Sequence, residues 1–280
     1  MKKILMKNVL IYVAMCFVAV ATAQRQADIE VSYDSQDGEQ MILLANAVES
    51  KYFNEISLWT DSLQSTPEGA ARLEEIIQAA CRTEHPDGYF IWDFTKGPVK
   101  NIYTYIFNST ADDTLTVYDQ WSEELMYYTE PASEMQWSLV PDSTADILGY
   151  DCIMAETDYH GRHWRAWFTT DIPLAYGPWK LHGLPGLILK AEADGGFTFT
   201  ATGLQKTDRL ITPMYSAGDY IKTERKKALA DNEYFINNME AILKAKFSNL
   251  GSVTYHDDES NTVSPVFDGW KDSLEPDYKE

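Results

Sequence analysis

The hexapeptide Gly183-Leu184-Pro185-Gly186-Leu187-Ile188 restricts the fold more than any other stretch of the chain. Proline presets φ at the second position of a four-residue turn, and glycine takes the positive φ wanted at the third. Leu184-Pro185-Gly186-Leu187 therefore predicts a type II turn. Leu187-Ile188-Leu189 carries no polar side chain, which predicts a strand covered on both faces. Upstream, residues 171–186 hold Ile172-Pro173 and Gly177-Pro178 and show no regular period. An irregular stretch this long in a compact domain is either packed as a unit or carries function. A stiff crossover that feeds an apolar strand is expected to organise a pleated core, not to act as a catalytic loop.

The rest of the chain supplies the pleats. Residues 28–33, 40–46, 89–94, 102–107, 114–121, 125–129, 137–140 and 147–155 are rich in Tyr, Phe, Thr, Val and Ile and read as strands. The clearest hairpin turns at His160-Gly161-Arg162. Its return strand, 163–170, puts Trp164, Ala166 and Phe168 on one face and His163, Arg165 and Trp167 on the other. A second hairpin joins 187–193 to 197–202 through Asp194-Gly195-Gly196. Thr66-Pro67-Glu68 opens a helix: a threonine cap, a proline in the first turn, an acid at the positive end of the dipole. His85-Pro86-Asp87-Gly88 would end it. Residues 219–247 carry a broken apolar stripe, read as one or two amphipathic helices interrupted near Asp231-Asn232.

These elements predict a mainly β protein with helices (α+β). Its core is a curved antiparallel sheet of eight or more strands, partly barrel-like, with an N-terminal helix and a C-terminal helical segment packed on it. One β-rich domain is expected over 24–250, followed by an acidic, flexible tail over 251–280.

Residues 1–23 read as an export signal, with Lys2, Lys3 and Lys7 as the basic region, an apolar run, and Ala21-Thr22-Ala23 as the cleavage site. Cys16 lies inside the apolar run, but bulky Met15 precedes it and the run continues past it, so ordinary export is expected over a lipid anchor. The destination is the periplasm or the exterior. No later run is long enough to span a membrane. The formal net charge is −20, and losing the three leader lysines makes the mature chain more acidic still. That excess argues against nucleic-acid partners and anionic lipid faces. Cys81 and Cys152 survive processing. In an oxidising compartment they predict a disulfide, worth roughly 4 kcal/mol if it closes so long a loop. Two buried thiols are the alternative.

Gly149-Tyr150-x-Cys152, Gly161-Arg162-x-Trp164-x-Ala166-Trp167-Phe168-Thr169, Ile172-Pro173, Gly177-Pro178 and the hexapeptide together resemble the GLPGLI family, which is named for that hexapeptide. Tyr128-x-Glu130 and Trp137 fit the same pattern. The resemblance covers residues 120–204. It implies an exported protein of Gram-negative bacteria, often encoded near outer-membrane TonB-dependent receptors, which makes such a receptor the expected partner. It implies no reaction, no catalytic residue and no cofactor.

The residues themselves offer one candidate ligand-binding cluster. Arg162, Arg165 and Lys180 lie among Trp164, Trp167, Tyr176 and Trp179, and aromatics interleaved with cations can bind by stacking and cation–π contact. A sheet core with snorkelling cations is the alternative. His182 joins the candidates, either facing a ligand or bonding the loop backbone. His160 and His163 have no third metal ligand at a recognisable spacing and read as a hairpin tip. Glu130 and Asp171 are a possible carboxylate pair with nothing to fix their separation. HExxH, P-loop, GxSxG and GxGxxG motifs are all absent. The expectation is a non-enzymatic envelope binding or accessory protein for a peptide, lipid or metal-loaded ligand. A secreted hydrolase with dispersed catalytic residues and an envelope scaffold are the alternatives.

Overall fold

A computed structural model describes residues 25–35, 38–82, 91–92, 96–98, 100, 102–121, 124–246, 255–256, 262–263 and 274–279. The export signal with Cys16, the helix stop at 85–88 and most of the strand expected over 89–94 lie outside the described residues.

The strands are β1 (Ile29–Ser35), β2 (Gln40–Ala45) and β3 (Glu49–Phe53), then, after two helices, β4 (Cys81–Arg82), β5 (Ile91–Trp92), β6 (Tyr105–Ser109), β7 (Thr114–Trp121) and β8 (Glu124–Pro131). There follow β9 (Ser138–Ile147), β10 (Tyr150–Tyr159), β11 (Arg162–Thr169), β12 (Leu187–Ala193), β13 (Thr198–Lys206), β14 (Ile221–Lys222), β15 (Tyr255–His256) and β16 (Thr262–Val263). The helices are α1 (Glu55–Gln64), α2 (Pro67–Ala80) and α3 (Arg225–Lys246). Twelve strands form one sheet in the order β14-β8-β7-β6-β3-β2-β1-β13-β12-β11-β10-β9. Its pairs are antiparallel except β14 with β8.

The chain length between β8 and β9 shows how the sheet is bent. They stand ten strand steps apart in the order, about 48 Å along a flat sheet. Yet residues 131–138 connect them, and that stretch reaches at most about 25 Å when fully extended. The sheet must roll until its two ends face each other. The core confirms this: Met126 and Tyr128 from one end belong to the same buried cluster as Cys152, Ala155 and Tyr159 from the other. The sheet is rolled but not closed, since the order runs from β14 to β9 with no pairing between those edges among the described residues.

Two cores lie on opposite faces of β2, β3 and β6. Val31, Leu43, Tyr52 and Ile106 face the inside of the roll. Ile42, Leu44, Phe53 and Tyr105 face out, under Leu58 of α1 and Ile211, Met214 and Tyr220 of the segment that follows β13. The helix expected at the N-terminus, α2, lies in an insertion between β3 and β6, behind α1, and it is α1 that puts Leu58 on the outer face. The start of α2 is as read: Thr66 Oγ1 accepts from the Gly69 amide at 3.1 Å. The preceding helix, α1, begins at Asn54, whose side chain accepts from the Ser57 amide. The C-terminal helical segment is a single uninterrupted helix through Asp231-Asn232.

Three local expectations change. Residues 147–155 form no single strand, because Leu148 and Gly149 both take positive φ and turn β9 into β10. The hexapeptide does not make a type II turn, because Gly186 does not adopt positive φ. Gly186 serves close approach instead: a Cβ there would sit 2.0 Å from the carbonyl oxygen of Thr169 on the neighbouring strand. Leu184, Leu187, Ile188 and Leu189 are all fully buried, and Tyr33 on β1 donates its hydroxyl to the Ile188 carbonyl at 2.6 Å. The Cys81–Cys152 disulfide is not formed, and Cys152 is a buried free thiol. Cys152 sits on β10, next to the β9 edge of the large sheet, while Cys81 opens β4, which pairs with β5 in a separate two-stranded sheet.

Candidate functional site

The aromatic cluster read from the sequence is mostly core. Trp164, Tyr176 and Trp179 are buried, with Trp164 stacked on Trp179 at 5.3 Å and on Phe199 at 6.2 Å. The loop that carries Tyr176, Trp179, Leu181 and Leu184 fills the roll instead of lining a hollow. It is tied internally: the Gly183 amide donates to Ala175, and the Leu187 and Ile188 amides to Ile172 and Tyr176. Arg162 is also buried; it donates to the Asp194 carbonyl at 2.8 Å and lies over Phe197 at 4.4 Å. His182 serves the loop backbone, with Nδ1 2.6 Å from the Lys180 carbonyl and Nε2 2.5 Å from that of Ala132. Arg165 and Trp167 lie on the outer face, where Arg165 meets Glu192 at 3.5 Å and Lys190 lies over Trp167 at 4.9 Å. Glu130 and Asp171 are not a pair, since Glu130 is buried and Asp171 is exposed at the loop entrance.

What the fold does bring together is a buried ionic cluster in the seam between the two ends of the sheet. Its six members come from five places in the chain. Glu130 ends β8 on the inward face, in step with Met126 and Tyr128. His160 occupies the two-residue turn between β10 and β11, and both His160 and Gly161 take the positive φ that this kind of turn requires. Lys180 comes from the crossover loop, Arg225 from the first turn of α3, and Glu275 and Asp277 from the short 274–279 segment.

The geometry is dense. The Lys180 ammonium, on a residue only 1 % exposed, lies 2.6 Å from Glu130 and 2.7 Å from Glu275. It also sits over the Tyr128 ring at 4.8 Å and the Trp179 ring at 5.5 Å. Arg225 reaches Glu130 at 3.3 Å, Glu275 at 2.6 Å and Asp277 at 2.5 Å. His160 Nε2 lies 2.8 Å from Glu130 and 3.7 Å from Glu275, and its Nδ1 lies 3.3 Å from Asp277.

Three carboxylates thus face two fixed cations and the His160 imidazole. Burial by itself would raise the Glu130 carboxyl, but the contacts from His160 and Lys180 outweigh it and hold the group down at about 2. Asp277 is likewise lowered against its burial by Arg225 and His160. Burial works against the Arg225 charge, and Asp277 and Glu275 overcome it, so the guanidinium is held more firmly than in water. Lys51 on β3 provides a contrast. It is equally buried but, among the described residues, donates only to Thr212 and sits over Phe53, Tyr105 and Phe107. Burial, then repulsion from Arg209, pushes it down to about 8.

Glu130, His160 and Glu275 offer ligand atoms within 4.8 Å of one another, and a carboxylate on the far imidazole nitrogen is a usual support for a metal ligand. Against that, Lys180 and Arg225 contact both carboxylates, and a divalent ion would meet two fixed cations at contact distance. The set fits carboxylate capture by cations better than metal capture by carboxylates. It also fits acid–base chemistry poorly, because a carboxyl at about 2 stays ionised and a proton shuttle works best near the ambient pH. One other acid is poised differently. Burial lifts Asp119 on β7 to about 7, despite hydrogen bonds from Thr104 at 2.8 Å and from the Gln120 amide at 2.8 Å.

Of the cluster, sequence reading singled out Glu130, His160 and Lys180 separately, and missed Arg225, Glu275 and Asp277. Lys180 did carry a signal, as a lysine between Trp179 and Leu181 in an apolar loop. Glu275 lies in a polar acidic ending where nothing distinguishes it from its neighbours.

A family model described as "Protein of unknown function (Porph_ging)" matches residues 153–190, from within β10 through the crossover loop into β12. No curated protein matches the chain. Among solved structures, PNGF-II in its C2 and P21 crystal forms is similar at a TM-score of 0.47 and 14 % identity, over 74 % of this chain. The chain spans about a third of PNGF-II, 32 % and 33 % in the two forms. MucB in complex with MucA(peri) is similar at a TM-score of 0.23 and 12 % identity, over 69 % of this chain and 56 % of that one.

Proposed function

We propose that the chain is an exported, non-enzymatic binding or accessory protein of the cell envelope, of the GLPGLI type, whose rolled and partly barrel-like sheet holds a carboxylate-bearing ligand at its seam. One observation supports this above the rest. Lys180 is buried at 1 % exposure in the crossover loop, and its charge is satisfied by carboxylates delivered from two distant segments. A buried lysine that needs carboxylates, beside an arginine that forks across two more contacts, is recognition chemistry. An outer-membrane TonB-dependent receptor is the partner the family resemblance implies. Purification from the native envelope, followed by mass spectrometry of whatever accompanies the protein, tests the reading. A peptide or other carboxylate ligand that is lost in a Lys180→Met variant supports it. Recovery of the protein with no ligand, together with turnover of a peptide or glycan substrate, would sink it.

A second reading, a hydrolase with dispersed residues, draws on Asp119 alone, a carboxyl held at about 7 and so near the ambient pH. Activity that disappears in Asp119→Asn while folding is unchanged would favour it.

A further inference from the structure

The 274–279 segment is held in an unusual way. Only Glu275 in it is fully buried, at 3 % exposure, and Pro276–Lys279 forms a single half-buried 3-10 turn. Its attachment is chiefly charge: Glu275 to Lys180 and Arg225, Asp277 to Arg225 and His160, and Lys279 to Glu233 at 2.6 Å. Leu274 adds an apolar contact with the main core. The hairpin tip is shaped around it. A Cβ on Gly161 would come within 3.0 Å of the Asp277 amide nitrogen and 3.1 Å of the Pro276 ring.

Without the segment, Lys180, Arg225 and His160 would face Glu130 alone among the cluster's carboxylates. Two fixed cations would then share one carboxylate, so the seat keeps an excess of positive charge that favours another anion. We propose that Lys180, Arg225 and His160 form a binding site for an acidic peptide, and that residues 274–279 occupy it as a resident plug. This rests on the binding reading above and names its ligand class. The ligand presents an apolar residue followed by Glu-x-Asp: one carboxylate for the Lys180–Arg225 pair, and the other for Arg225 and His160. Because the plug is tethered, its effective concentration is of millimolar order, and an incoming peptide has to displace it.

The test uses the full chain carrying Glu275→Gln and Asp277→Asn, and the acetylated synthetic peptide Ser-Leu-Glu-Pro-Asp-Tyr-Lys-Glu, read by calorimetry. The double variant should bind the peptide at least about tenfold more tightly than the wild-type chain, whose own segment competes. Adding Lys180→Met should weaken that binding at least about tenfold, since one buried charge-assisted contact is lost. A folded double variant that ignores the peptide, or that binds its Gln/Asn counterpart equally well, overturns the proposal. If the double variant does not fold, hydrogen exchange on the wild-type chain decides. Millimolar peptide should speed exchange of the Asp277 to Lys279 amides, and unchanged exchange overturns the plug. A failure here, with a ligand still recovered from the native envelope, removes the plug and leaves the binding reading standing.

Discussion

Glu130→Gln isolates the cluster's contribution to stability and gives it a pH signature. The glutamine keeps the shape of the side chain and removes its charge. The Glu130 carboxyl sits at about 2 in the folded chain against 4.5 when unperturbed. A displacement of that size is worth about 3 kcal/mol of stability at neutral pH. It agrees with the 3–5 kcal/mol, roughly, that breaking a buried ion pair costs. A depressed carboxyl stabilises the fold above its unfolded value, and the contribution fades as pH falls through its folded value. Urea unfolding of wild type and Glu130→Gln should therefore differ by about 3 kcal/mol from neutrality down to about pH 5. The gap should close between about pH 4.5 and pH 2. Asp277 titrates in both proteins, so the difference between them reports Glu130. A gap that stays constant with pH, or is absent at pH 7, would refute the claim that these contacts hold Glu130 ionised.

Asp119 predicts the opposite slope. Its carboxyl is raised from 3.8 to about 7, so the stability it permits is present below about pH 4 and lost as pH rises through 7. Asp119→Asn should gain up to about 4 kcal/mol over wild type at pH 8 and nothing at pH 4, measured by the same unfolding titration. Gly149 and Gly161 share φ 79, but nothing lies within 4 Å of a Cβ built at Gly149. Gly149→Ala and Gly161→Ala should each cost about 1–2 kcal/mol of backbone strain. Only Gly161→Ala should speed hydrogen exchange over 275–279. Burial, with Asp146, Asp151 and Asp171 adding repulsion, pushes the Cys152 thiol up to about 11. Iodoacetamide at pH 8 should leave Cys152 unlabelled in the native chain and label it in urea, as peptide mass mapping would show.

The single observation most at odds with the sequence reading is the sealing of Trp164, Tyr176 and Trp179 in the core. Sequence shows that indoles and cations are interleaved, but not whether the concave side of a sheet is open. Here the crossover loop fills that side with its own side chains. The alternative already visible, a sheet core with snorkelling cations, describes the core but not the cations: Arg162 and Lys180 are buried, while Arg165 and Trp167 stay on the outer face.

The amino-acid order by itself determined the pleats, the two hairpins about Gly161 and Gly195, the capped start of α2 and the buried Leu187-Ile188-Leu189 ribbon. Each depends on contacts between near neighbours: alternation at two residues, a cap at three, a positive φ at one glycine. Tertiary structure alone decided the rest. The roll of the sheet follows from a short link forced to join strands at its two ends. The role of Gly186 follows from a strand approaching at 2.0 Å of an absent Cβ. The ionic seam follows from charges at positions 130, 160, 180, 225, 275 and 277 neutralising one another. Electrostatic attraction depends on distance in space and leaves no period along the chain. Six ordinary polar residues therefore became a site only when folding closed the seam around them.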